Sequence, residues 1–130
     1  MTVYQPIVPN PAWPKSFTFS PAVRTGNLVF LSGTTATDDT GRIVGVGDIA
    51  AQTRQIFRKF AVVLECVGGS LANIVETTDY VVSLDDYAKT AEVRRELLKG
   101  PPWPAATGVL VSGLVRKDAL IEIKAIAVLG

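Results

Sequence analysis

The sequence predicts an α+β fold, a single mixed sheet with two helices packed on one of its faces. Three observations carry this prediction. Apolar, β-branched runs bounded by turn residues occur at 28–31, 74–82, 109–111 and 119–128, the pattern of short strands. Apolar residues three and four apart recur from position 49 to 67, the mark of an amphipathic helix whose stripe needs a covering layer. The resulting order of strands, helix, strand, helix and strands lets each layer hide the apolar side of the other. A chain of 130 residues suits one domain and can bury roughly two thirds of its unfolded surface without disulfide or metal staples.

Residues 1–16 read as an N-terminal arm, because Pro6, Pro9, Pro11 and Pro14 oppose helix and central-strand pairing; Tyr4, Ile7 and Trp13 would lay it on a neighbouring surface. Residues 17–130 form the domain. Thr25-Gly26-Asn27 makes a turn into the strand 28–31, which runs into Ser32-Gly33. Asp38 to Arg42 reads as a solvated turn, not a metal site. Gly45 and Gly47 punctuate the approach to Asp48, the expected N-cap. Behind it Ile49, Thr53, Ile56, Phe60, Val63, Leu64 and Val67 share one helical face, and Gly68-Gly69 ends the helix. After the strand 74–82, Ser83 to Asp86 offers caps for a second helix reaching Lys99, which Gly100-Pro101-Pro102 terminates. In the last strand Ile121, Ile123 and Ala125 point to the core and Glu122 to the opposite face. A sheet face left uncovered by helices while carrying Val and Ile predicts self-association.

Composition narrows the chemistry. Thirteen basic and twelve acidic residues leave a net charge of +1, and no cationic run exceeds two residues, so a nucleic-acid partner is disfavoured. The absence of histidine removes Ser-His-Asp and metalloprotease sites along with the usual neutral-pH base. No cofactor and no metal are expected. The single Cys66 excludes an internal disulfide and reads as a small core residue, with no base to activate it. With no long apolar span and no leader-like start, the expected setting is cytoplasmic, without a membrane partner. A mean hydropathy of +0.30 is high for so small a domain and points to apolar surface shared between copies.

The segments FSPAVRTGNLVFLSGT at 19–34, GDIAAQTRQIF at 47–57, VGGSLANIVETTDYV at 67–81, PAATGV at 104–109 and LIEIKAIAV at 120–128 together resemble the RidA family, also called YjgF or enamine/imine deaminase-like proteins. The resemblance covers nearly the whole chain. It implies a chorismate-mutase-like α+β fold assembled as a homotrimer, with small-molecule clefts between subunits. It further implies hydrolysis of reactive enamines or imines, such as aminoacrylate, to a carbonyl compound and ammonia.

On the family pattern, Ala106 stands where an arginine clamps the substrate carboxylate, and it supplies neither charge nor bidentate geometry. Phe19 replaces a tyrosine, Ala91 an asparagine and Gly108 a cysteine, while Ser32-Gly33 keeps the small turn and Thr107 keeps a hydroxyl. Glu122 remains acidic, in position to orient a water or take its proton, or else to serve an interface ion pair or a binding role. The expected site is therefore catalytic Glu122 with Phe19, Arg24, Ser32, Gly33, Trp103, Ala106 and Thr107 binding substrate. Arg24, Arg94 and Arg95 are alternatives to the missing clamp, although Arg94 and Arg95 also fit a surface ion-pair lattice with Glu92 and Glu96. The expected function is hydrolytic deamination of a small enamine, imine or 2-aminomuconate-like acid. The alternative is a non-catalytic trimeric small-molecule-binding or regulatory protein; endoribonuclease activity, known among relatives, sits poorly with the charge balance.

Overall fold

A computed structural model describes residues 2–130; Met1 of the expected arm lies outside them. The elements are β1 (Gln5–Ile7), β2 (Ala22–Thr25), β3 (Leu28–Thr34), α1 (Ile49–Glu65), a 3-10 turn (Leu71–Asn73), β4 (Ile74–Val81), α2 (Lys89–Leu98), β5 (Ala105–Leu110) and β6 (Ile121–Val128). The six strands form one sheet in the order β1-β2-β3-β6-β4-β5. β4 and β5 pair in parallel, with α2 between them in the chain, and every other pair is antiparallel. The mixed α+β sheet with two helices is thus as the sequence predicts.

Strand alternation builds the core. Ile121, Ile123, Ala125 and Ala127 of β6 and Val29 and Leu31 of β3 are buried under Ile56, Phe57, Phe60 and Leu64 of α1, with Val93 of α2 completing the cluster. Asp48 caps α1 by accepting the Ala51 N–H at 3.0 Å. Gln52, which the apolar stripe did not include, is fully buried because its amide is used up: Nε2 donates to the carbonyls of Gly45 and Asp118, each at 3.1 Å, and Oε1 accepts the Leu120 N–H at 2.8 Å. It thereby ties the helix to the entrance of β6.

Three local expectations change, and the N-terminal arm adds one edge strand. The second helix begins at Lys89, after Ala88 with no side-chain cap; Ser83 accepts the Asp85 N–H, and Asp86 sits at φ +60°, so 83–86 is a tight turn, not a cap. The strand expected at 109–111 starts at Ala105, because small residues with little strand preference are recruited by pairing with β4. The proline-rich start contributes β1, an edge strand on β2, where Pro6 costs no interior ladder bond. Cys66 is exposed, not buried: α1 ends at Glu65 and the thiol lies beyond the last core position, Leu64.

Candidate active site

Alternation along β6 delivers Glu122 to the face opposite the helices, half-buried and across from Tyr80 of β4. Between Leu31 and Thr34 the β3 register with β6 shifts, a bulge that redirects the backbone. The Ser32 hydroxyl donates to the Ser20 carbonyl at 2.7 Å, and its N–H to that of Pro21 at 3.0 Å, which fixes the bulge. A Cβ on Gly33 would lie 2.6 Å from Oε2 of Glu122, so the carboxylate occupies space that any other residue would fill. Burial raises the Glu122 carboxyl above its ordinary 4.5, because desolvation disfavours the charged form. That makes it a stronger proton acceptor nearer neutrality. Gly33, Tyr80, Glu122 and Lys124 share an open hollow of about 340 Å³ with the loop after β5.

Gly33 also borders a smaller hollow, about 70 Å³, with Phe19, Ser32, Trp13 and Lys59. Trp13 meets Phe17 and Phe19 edge-on at 5.2 and 5.4 Å, and the two phenylalanines stack at 5.3 Å. Lys59, absent from the sequence expectations, donates from Nζ to Thr34 Oγ1 at 2.5 Å, the Thr35 carbonyl at 2.8 Å and Thr37 Oγ1 at 2.8 Å. Burial, with Arg116 adding repulsion, lowers its ammonium pKa to about 8. Its only sequence signal is the threonine-rich run after Gly33, which says nothing about a lysine 22 to 25 residues away.

The remaining expected residues lie elsewhere. Trp103 and Ala106 line a hollow of about 240 Å³ between α2 and β5, together with Ala91, Arg94, Leu98 and Thr77. Arg94 does not belong to the surface lattice. It forms an ion pair with Asp79 of β4, donates from Nη1 to Thr90 Oγ1 at 2.8 Å, and lies 5.9 Å over the Tyr87 ring. Asp79 also accepts the Tyr87 hydroxyl at 2.8 Å. Its other oxygen and Arg94 Nε are buried without partners. Desolvation lowers the Arg94 pKa and raises that of Tyr87. Asp79 escaped the sequence reading because an aspartate inside a β-branched run looks like any solvent-facing strand position. Arg95 pairs with Glu92, and Glu96 with Arg54 of α1. Thr107 stands in register with Thr78, on the sheet face opposite Ala106, and Arg24 donates from Nε to the Gly26 carbonyl at 2.9 Å in the β2–β3 turn.

Within one chain six of the eight expected residues therefore fall into two groups, and Arg24 and Thr107 join neither. Gly33 on β3 and Ala106 on β5 are three strand spacings apart in the sheet, about 14 Å at ~4.8 Å each. Glu122, Ser32, Gly33 and Phe19 gather at one end of that distance and Trp103 and Ala106 at the other.

Comparison with known proteins agrees with this architecture. Residues 12–129 match the family model described as Endoribonuclease L-PSP. A RutC family protein of Pyrococcus horikoshii is 43% identical over 110 residues, which span 84% of this chain and 85% of the relative. The 3-aminoacrylate deaminase RutC of Acinetobacter baylyi is 33% identical over 121 residues, covering 93% and 94%. The crystal structure of RidA from an Antarctic Psychrobacter superposes with a TM-score of 0.81 at 30% identity, covering 99% of this chain and 100% of that one. With matched relatives along almost its full length and the same mixed sheet under two helices, this chain belongs to the Endoribonuclease L-PSP family, that of the RidA, YjgF and RutC proteins.

Proposed function

We propose that the protein hydrolyses a small enamine or imine to its carbonyl compound and ammonia, as a homotrimer whose clefts join the Glu122 side of one subunit to the Ala106 side of the next. The observation that carries this reading is the half-buried Glu122 carboxylate held against Gly33, a proton acceptor beside open space. The likeness to a 3-aminoacrylate deaminase supports the same class of reaction. An enamine is first protonated on carbon to its imine tautomer. Water then adds to the imine carbon: a C–O bond forms, the C=N π pair moves to nitrogen, and Glu122 takes a proton from the water and passes it to that nitrogen. Collapse of the carbinolamine passes the hydroxyl proton, through Glu122, to the amino nitrogen, breaks the C–N bond, expels ammonia and leaves C=O, with no redox change. The Gly33 region and Thr107 would position the ligand. The exposed apolar residues Phe30 and Val109 on the sheet face away from the helices support burial of that face by partner subunits.

The test is ammonia and carbonyl release from freshly generated 2-aminoacrylate, 2-aminomuconate and imines made in situ, against the rate without protein. Glu122→Gln is expected to remove at least nine tenths of the excess rate. Because the base form is active and its pKa is raised, the native rate should fall as pH drops through a value above 4.5, and the variant should lack this limb. An unchanged rate or profile in Glu122→Gln overturns the role of Glu122. A second reading, a non-catalytic ligand-binding trimer, is favoured by Ala106 in the place of a clamping arginine; binding without acceleration of any of these compounds would select it.

A further inference from the structure

We infer that the hollow between α2 and β5 receives an uncharged apolar group of the ligand, an aryl or branched alkyl substituent, and not its carboxylate. The inference rests on the reading of this cleft as half of the ligand site, and it names which part of the ligand lies there. Two alanines make the space: Ala106 from β5 and Ala91 from α2 leave a hollow of about 240 Å³. An apolar cavity of about 150 Å³ already holds benzene, so a six-membered ring or an isobutyl group fits. The walls offer Trp103, Leu98 and Pro104 as contact surface, and Trp103 is half exposed, at 49%, with its ring set against Gly100.

The charges decide against an anion. Two cations border the hollow, and both are engaged. The Arg94 guanidinium is tied to Asp79 and Thr90, and its Nε is sealed from solvent. Arg95, on the solvent-exposed rim, is paired with Glu92. A carboxylate entering here would give up its hydration and meet, at Arg94, an ion pair of no net charge. A neutral group gives up little and gains the indole face. Phe19, in the other half of the expected site, extends the same apolar character.

Matched pairs of probes separate the two ligand chemistries: benzamide against benzoate, and isobutyramide against isobutyrate. Each is titrated into the full-length protein labelled at the indole nitrogen, the signals of its two tryptophans being assigned with Trp13→Phe. The neutral member of each pair is expected to bind at least tenfold more tightly and to move the Trp103 signal. Ala106→Arg should reduce or reverse that preference by tenfold. Ala91→Leu, which fills the hollow, should weaken benzamide binding at least fivefold, with an unchanged thermal transition showing that the fold is kept. Equal or tighter binding of the carboxylates, or a Trp103 signal that neutral probes leave unmoved, overturns the inference. These titrations need no turnover, so an absence of hydrolysis beside a clear neutral preference sinks the catalytic proposal alone, and hydrolysis without that preference sinks this one.

Discussion

Gly33 and Glu122 define the site at the scale of single residues. Gly33 has no need of an unusual backbone conformation; what it supplies is the absence of a side chain where a carboxylate oxygen lies. Because the obstructing atom is the far end of a flexible side chain, Gly33→Ala should displace the carboxylate more than it strains the sheet. The expected outcome is loss of most Glu122-dependent hydrolysis with a stability change of about 1 kcal/mol or less, read from initial rates and urea unfolding of the same preparation. Unfolding in place of selective inactivation would show that the bulge, not the carboxylate, is what the glycine protects. The same reasoning applies at Gly108, where a Cβ would lie 2.7 Å from the Tyr87 hydroxyl. Tyr87 fills the room that a larger residue at 108 would need, so the two positions have to change together.

The elements differ in how far the sequence disclosed them. α1 and β6 were legible because their periodicity is strong and one face of each is mostly apolar, Gln52 and Thr53 being the polar exceptions on α1. β5 was not: Ala105, Ala106, Thr107 and Gly108 carry no strand pattern of their own, and only β4 makes them a strand. The buried Asp79–Arg94 pair was hidden for a related reason: Arg94 stands in a charged run between Glu92 and Glu96, while its actual partner lies on another element, β4. Glu122 and Ser32-Gly33 were readable as a carboxylate on the non-core face and a small turn after a strand; Lys59 had no such local signature. The pair clamps α2 to β4 and can be tested as a clamp. Asp79→Ala should destabilise the protein by about 3–5 kcal/mol by stranding a mostly buried cation. Adding Arg94→Leu should recover much of that loss, measured by urea unfolding at fixed protein concentration. Equal destabilisation by the single and the double change would mean that the pair's packing, not its charge, holds α2.

At the scale of the molecule, the separation of the two residue groups by about 14 Å has a consequence in mixtures. If each cleft takes one half from each of two subunits, Glu122→Gln and the hollow-filling Ala106→Trp are complementary defects. Co-refolded assemblies of the two inactive chains should regain a measurable fraction of the native rate, because some interfaces then carry neither defect. No recovery, with mixed assemblies verified by mass, would place the whole site within one chain. The sheet also has two unlike rims. β1 is three residues long and contains Pro6, which makes it a poor template. β5 is six residues long, exposed throughout, and free of proline and charge, with no strand on its outer side among the described residues. Such an edge invites the wrong neighbour as readily as the right one. If copies of the chain cover this edge in the proposed trimer, finding its own kind quickly is a matter of solubility before it is one of catalysis, and selection against aggregation would hold that assembly together even in a descendant that had lost its reaction.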